Sequence, residues 1–330
     1  MTHIVYAKRT PIAKFMGSLQ SLTAPQIAQP LVSDALKQFN NHTVDEIIMG
    51  QVLTAGNKQS PARQAALLGG LPNSVCALTI NRVCGSGLKS VMLADQALKN
   101  GDAQVIFAGG QECMSYAPHL LLNSRTGWKF GEGKLLDHMQ LDGLTDAYEN
   151  APMGNYGELC AKKYGISRTD QDDYALRSYQ LATQSWQTGH FSQEVVAVEV
   201  PQRRNTLTFT KDEEPFAVNL DKLRTLRPAF ETDGTITAGN ASSISDGAAL
   251  LVLAHPDVDC PPLARIVAQA SHAQEPAWFT TAPVAAINKV CAKAKLKLQD
   301  IGLFEINEAF ATVPLAVSRE LNLDMDKVNV

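Results

Sequence analysis

The chain has 330 residues, 45% of them apolar, which is enough for two cored domains at roughly 100–200 residues each and excludes disorder. With 29 Lys+Arg against 33 Asp+Glu the net charge is -4, so no overall basic field exists to hold nucleic acid or an anionic membrane. Six cysteines without CxxC pairs or histidines at metal spacing exclude a disulfide scaffold and a zinc site. The first residues, MTHIVYAKRTP, lack a signal-peptide core, and no apolar run reaches the roughly 18 residues needed to span a membrane. A cytoplasmic protein acting on small molecules is the expectation.

In chain order, short apolar or β-branched runs alternate with helical ones, at 4–6, 27–39, 46–52, 62–68, 77–80, 87–99 and 105–108. That is the order of parallel α/β layers, whose sheets bury both faces. The helix after Cys84 carries Leu88, Val91, Met92, Leu93, Ala94, Ala97 and Leu98 and stops at Asn100-Gly101. Its apolar arc is too broad for a surface helix and predicts a place between sheets. From about 115 to 240 the character changes. Gly127, Gly131, Gly133 and Gly143 punctuate a stretch rich in Asp and Tyr, followed by a polar helix over 170–188 and a charged strand-and-loop region over 195–214, and the whole reads as an insertion. The α/β pattern resumes with DGAALLVLA at 246–254, an apolar run at 263–271, a helix over 284–295, the strand GLFEIN at 302–307 and a helix over 310–321. Residues 45–50 resemble 300–305, and each is followed by a β-run, at 75–80 and 327–330, so the second core is expected to repeat the first and to end within a strand.

Cys84 lies between a strand and a helix, with Gly85 and Gly87 removing side chains around it and the unsatisfied N–H groups of a first helical turn nearby. This is the pattern of a nucleophile elbow. A helix N-terminus lowers a thiol pKa from about 8.5 toward neutrality and favours the attacking thiolate. The competing reading of any cysteine is a small buried hydrophobe. Cys76, Cys160, Cys260 and Cys291 are read that way, and Cys113, after Gly109-Gly110, is the one other thiol worth inspection.

The segment NRVCGSGLKSV at 81–91 resembles the active-site signature of the thiolases, the coenzyme A-dependent acyltransferases that make and cleave 3-ketoacyl-CoA. RTPIAKFMG at 9–17, GGQECMSYAPH at 109–119, LRPAF at 226–230, TAGNASSISDGAA at 237–249 and EINEAFA at 305–311 match the family in order. The GQECMSYAPH run and the long insert resemble the acetyl-CoA acetyltransferase (acetoacetyl-CoA thiolase) branch more than the fatty-acid β-oxidation branch. The resemblance implies two similar α/β halves in alternating helix and sheet layers. Residues 1–114 with 241–262 would form the N-terminal core, 115–240 a loop domain covering the CoA site, and 263–330 a partial C-terminal core.

The same resemblance implies a reversible Claisen condensation of two acetyl-CoA to acetoacetyl-CoA through an acyl-cysteine at Cys84. It gives Asn307 the role of holding an oxyanion-hole water, although an Asn at a strand end is by itself a common turn or cap residue. Ser242 matches the serine that bonds the pantetheine amide, where an isolated Ser reads as an ST-turn or cap. Met153 matches a pocket-wall methionine, preceded here by Pro152 where acetoacetyl-CoA enzymes often have His. Ala309 and Phe310 would line the pantetheine channel, and Glu308 would orient the site or satisfy backbone groups. Arg203, Arg204 and Arg224 are candidates for the nucleotide phosphates, against the usual reading of a solvated charged face. No cofactor is expected to be bound permanently; the partners implied are an acyl-CoA thioester as substrate and a homodimer or homotetramer.

Thiolases activate the nucleophile with a histidine in a GHP motif and remove the α-proton with a second cysteine in a CxGGG-type loop. Neither motif occurs in these 330 residues, and His255-Pro256 precedes the NEAF segment without flanking glycines. The expectation is therefore a truncated chain, or one stabilised by an oligomeric partner, in which acylation of Cys84 survives while condensation and thiolysis are strongly reduced. The alternative from another class is a non-catalytic relative that binds CoA or a partner subunit. A decarboxylating ketoacyl synthase-like enzyme is a third reading, against which NEAF argues.

Overall fold

The structure, a computed structural model, describes residues 1–39 and 42–330 and divides into two compact units. The first joins Met1–Leu144, Phe191–Glu213 and Ile244–Ile266; the second joins Thr145–His190, Glu214–Ser243 and Val267–Val330.

The first unit contains β1 (His3–Arg9), β2 (Ala13–Lys14), α1 (Ala24–Gln38), β3 (Glu46–Gly50), α2 (Pro61–Leu68), β4 (Cys76–Ile80), α3 (Ser86–Asn100) and β5 (Val105–Cys113). It continues with the short pairs β6 (His119–Leu120) with β7 (Leu136–Asp137) and β8 (Val198–Pro201) with β9 (Thr206–Phe209), then β10 (Ser245–Ala254) and β11 (Ala264–Arg265). Its main sheet runs β11-β1-β10-β5-β3-β4, with β2 also on β10. β3, β4 and β5 are parallel as expected, but β10 runs antiparallel to both β1 and β5, so the sheet is mixed. The expected run at 263–271 shrinks to β11, which finds only two ladder partners, His3 and Ile4.

Alternation along the strands gives each face its own core. Ile47, Met49, Val105, Phe107, Leu250 and Val252 face one way and join the buried residues of α1 and α2. Ile48, Ile106, Ala108 and Leu253 face the other way and meet Ala94 and Leu98 of α3. The central strands are thus buried on both faces, and α3 sends a narrow row of Ser86, Ser90, Ala94, Asp95 and Leu98 to the sheet. Leu88, counted in the apolar arc from which a place between sheets is expected, is 71% exposed. Helical periodicity measures the width of an apolar arc and does not identify what covers it.

Arg9 ties the distant 191–213 segment into this unit. Its Nε donates to Glu194 at 2.7 Å, its two terminal nitrogens donate to both oxygens of Asp212 at 2.8 and 3.1 Å, and the guanidinium lies 4.8 Å from the centre of the Phe191 ring. Planar bidentate pairing is a geometry Lys cannot supply.

The second unit carries α4 (Met153–Tyr164), α5 (Arg168–Gln187), the short α6 (Glu214–Ala217), α7 (Ala282–Ala294) and α8 (Thr312–Leu321). α5 begins with a reciprocal cap in which Ser167 and Asp170 exchange side-chain and backbone bonds. The strand expected at 302–307 is present only as one parallel bridge, Phe304 with Val328, and the run at 327–330 is otherwise irregular. Phe304 and Ile306 are buried with Val284, Val313, Val317 and Val328, so the apolar content is used in packing rather than in a ladder. No helix among the described residues is long and apolar enough to cross a membrane.

Candidate active site

Cys84 stands two residues before α3 and is exposed, so it is not the small core hydrophobe of the competing reading. The turn that carries it is held by Ser86, whose hydroxyl accepts from the Arg82 N–H at 2.8 Å and donates to the Val83 carbonyl at 2.6 Å. Val83 sits at φ 49, in the left-handed region, which is a strained position for a β-branched residue and gives the turn the sharpness of a nucleophile elbow.

Glycines let the base of this turn approach the sheet closely. A Cβ on Gly50, at the end of β3, would lie 2.5 Å from the Ser86 backbone carbon, and one on Gly110 would lie 3.4 Å from the Gly87 Cα. Ser90, one turn further along α3, donates to the carbonyls of Gly87 at 2.7 Å and Gly109 at 2.8 Å. The start of α3 is therefore seated on the ends of β3 and β5.

The expected depression of the Cys84 pKa is not what the structure gives. Desolvation pushes the thiol above its ordinary value, and the opposing pull of the residue's own backbone N–H does not outweigh it. Cys113 is buried and its thiol is pushed up to about 12, first by desolvation and then by Asp246, so it is a packing residue. Cys160 and Cys291 are buried as expected, whereas Cys76 on the edge strand β4 is exposed and Cys260 is half-buried.

The other expected site residues lie in the second unit. An antiparallel bridge joins Ala241 to Phe310, and the Ser242 N–H donates to the Ala309 carbonyl at 2.9 Å, so the GNASS and NEAF segments run side by side. The Ser242 hydroxyl is exposed and forms no hydrogen bond among the described residues. Phe310 is buried, meets Phe230 edge-on at 5.9 Å, and packs against Gly157 of α4, where a Cβ would come within 3.0 Å of its ring. Phe230 in turn lies against Gly154, beside the half-buried Met153 that opens α4. The second unit thus brings Met153, Ser242, Ala309 and Phe310 to one neighbourhood around two rings.

Asn307 is exposed and its amide forms no hydrogen bond among the described residues. Its neighbour Glu308 is fully engaged, accepting from Tyr174 at 2.6 Å and Asn329 at 3.0 Å on one oxygen and from Ser178 at 2.9 Å on the other. Of the arginines considered for phosphates, Arg203 and Arg204 are exposed in the turn between β8 and β9, and Arg224 is paired with Asp173.

Residues that sequence reading did not single out hold this arrangement. Buried Glu158 accepts from the backbone N–H groups of Thr235 and Ile236, both at 2.7 Å, and from the Thr235 hydroxyl at 2.8 Å. Buried Asn240 donates to Asp172 at 2.9 Å and accepts from the Thr237 N–H at 2.8 Å, while Arg168 caps Asp172 at 2.7 Å. A buried polar side chain of this kind is recognisable only once its partners, distant in sequence, are known.

Residues 2–257 match the N-terminal domain of thiolase, and residues 260–330 match its C-terminal domain. A Staphylococcus aureus (strain COL) protein named "Probable acetyl-CoA acyltransferase" is 45% identical over 340 residues, taking in 100% of this chain and 86% of the relative. An acetyl-CoA acetyltransferase of Pseudomonas aeruginosa is 46% identical over 335 residues, 99% of this chain and 85% of its own. The crystal structure of the Bacillus anthracis acetyl-CoA acetyltransferase superposes with a TM-score of 0.96 at 38% identity, covering 99% of this chain and 85% of that one.

Proposed function

We propose, on the premise that the chain belongs to the thiolase family and is by family an acyltransferase, that it is an acetyl-CoA C-acetyltransferase whose Cys84 sulfur carries the acyl group. The observation that carries this reading is an exposed cysteine on a strained, glycine-flanked turn at the start of α3.

The Cys84 thiolate attacks the thioester carbonyl, a new C–S bond forms, and the C–S bond to coenzyme A breaks, with the departing thiolate taking up the proton that Cys84 gave up. In the condensing direction a second acetyl-CoA gives up an α-proton to solvent base, its carbanion attacks the acyl-enzyme carbonyl to form the C–C bond of acetoacetyl-CoA, and the C–S bond to Cys84 breaks, the released Cys84 thiolate taking up that proton. The enolate oxygen of that step needs a fixed donor, and the free amide of Asn307 is proposed to supply it through a held water. The unpaired Ser242 hydroxyl suits a pantetheine amide. Ala309, Phe310 and Met153 offer apolar walls, and Arg203 and Arg204 are free to meet phosphate. Assembly as a homodimer or homotetramer belongs to the same reading, and light scattering on the purified chain tests it.

Mass spectrometry after incubation with acetyl-CoA is the direct test. One acetyl group on the Cys84 peptide, absent from Cys84→Ala and removed by added coenzyme A, is expected. An unmodified Cys84 in a protein shown to be folded would favour the reading of a non-catalytic CoA-binding relative.

A further inference from the structure

One side chain of the second unit holds the residues on both sides of Asn307. The Asn329 amide oxygen accepts from the Ile306 N–H at 2.7 Å, and its nitrogen donates to the Ile306 carbonyl at 2.8 Å, to Glu308 at 3.0 Å and to the Tyr174 hydroxyl at 2.9 Å. A single amide therefore satisfies both backbone groups of buried Ile306, as the neighbouring strand of a sheet would. A side-chain amide presents a donor and an acceptor side by side in one plane; Asp would set a second carboxylate against Glu308 and leave the Ile306 carbonyl unpaired. Asn329 also sits at φ 48, where Asn is among the few side chains tolerated.

The amide itself is fixed from α5. Tyr174 and Ser178, one turn apart on that helix, both hold Glu308, while Arg177 donates to the carbonyls of Met325 at 2.9 Å and Val328 at 3.1 Å. Asn307 is thus bracketed by two pinned residues, and its own side chain has no hydrogen-bond partner among the described residues.

We propose that Asn329 is a positioning residue for Asn307, fixing Ile306 and Glu308 so that the Asn307 amide is held ready to place the water that meets the enolate oxygen. This rests on the reading of Asn307 as the donor-holding residue. The test compares Asn329→Ala, Tyr174→Phe and Asn307→Ala, singly and combined, in the full chain. It reads the order parameter of the Asn307 backbone amide by NMR and the rate of acetoacetyl-CoA formation from acetyl-CoA.

In Asn329→Ala the order parameter is expected to fall from about 0.85 to below about 0.6. The maximal rate is expected to drop about tenfold with half-saturation by acetyl-CoA changed less than about twofold, the pattern of an interaction made in the transition state. On top of Asn307→Ala the same substitution adds nothing, a coupling that a general loss of packing would not produce. Tyr174→Phe removes only one brace and answers the question if Asn329→Ala does not fold; a loss of about threefold, again absent beside Asn307→Ala, is expected. An ordered Asn307 in folded Asn329→Ala, or losses that multiply, overturns the positioning role alone. An unchanged rate in Asn307→Ala removes the reading of Asn307 and with it the role of Asn329.

Discussion

At Cys84 two tendencies oppose each other: the positive end of α3 favours a thiolate, and desolvation favours the thiol. The net direction is upward, so the thiolate fraction at neutral pH is smaller than for a thiol in water and grows as pH rises through the elevated pKa. Peptide-resolved alkylation by iodoacetamide from about pH 7 to 10 should show a Cys84 midpoint above the usual range near 8.5; a midpoint at or below about 7.5 contradicts this. Cys113, pushed up to about 12, should stay unmodified throughout, while exposed Cys76 should react with the small reagent but not with acetyl-CoA. Glu158 supplies a second test at this scale. Glu158→Ala strands the buried Ile236 N–H and the half-buried Thr235 N–H and should lower stability by about 2–4 kcal/mol in urea titration, and Glu158→Gln, which keeps one acceptor oxygen, by less.

At the scale of elements, α3 is seated by glycines, and its position sets that of the Cys84 turn. Gly50→Ala places a methyl group against the Ser86 backbone and is expected to cost about 1–3 kcal/mol in chemical denaturation and to slow acetyl transfer to Cys84. Unchanged stability would mean the contact is readily relaxed. The motif CGSG made this helix start legible, because Gly and Ser punctuate a strand end immediately before an apolar run at helical spacing. The exposure of Leu88 was not legible, since an amphipathic period states which side chains share a face and nothing about the neighbour. GLFEIN reads as a strand for the same local reason, but a ladder needs a partner. Here the partner of Ile306 is the Asn329 side chain, which no β-propensity encodes.

At the scale of the molecule, the first unit is assembled from three separated stretches of chain. Among the described residues β1 has its ladders with β10 and β11 and a single bridge from Arg9 to Val195, and one side of β5 is closed by β10. A fragment of residues 1–144 would leave β1 without a ladder and β5 with an open edge, and it is expected to lack cooperative unfolding by circular dichroism. A sharp two-state transition in that fragment would show that α1, α2 and α3 suffice to hold the three parallel strands. Arg9, bound to Glu194 and Asp212, should matter to the recruitment of 191–213: Arg9→Ala is expected to render the β8 and β9 hairpin susceptible to limited proteolysis before the rest of the unit.

The sequence by itself determined the family, through ordered motifs whose spacing spans the chain, and placed most helices and the central strands to within a few residues, because apolar period and Gly or Ser punctuation are local properties. It also named the thiol at the start of α3 and the residues around Phe310. The antiparallel insertion of β10 between β1 and β5, the upward shift of the Cys84 pKa and the Asn329 brace belong to tertiary structure alone. Each depends on which atoms from distant parts of the chain come within a few ångströms, and neither propensity nor periodicity carries that information.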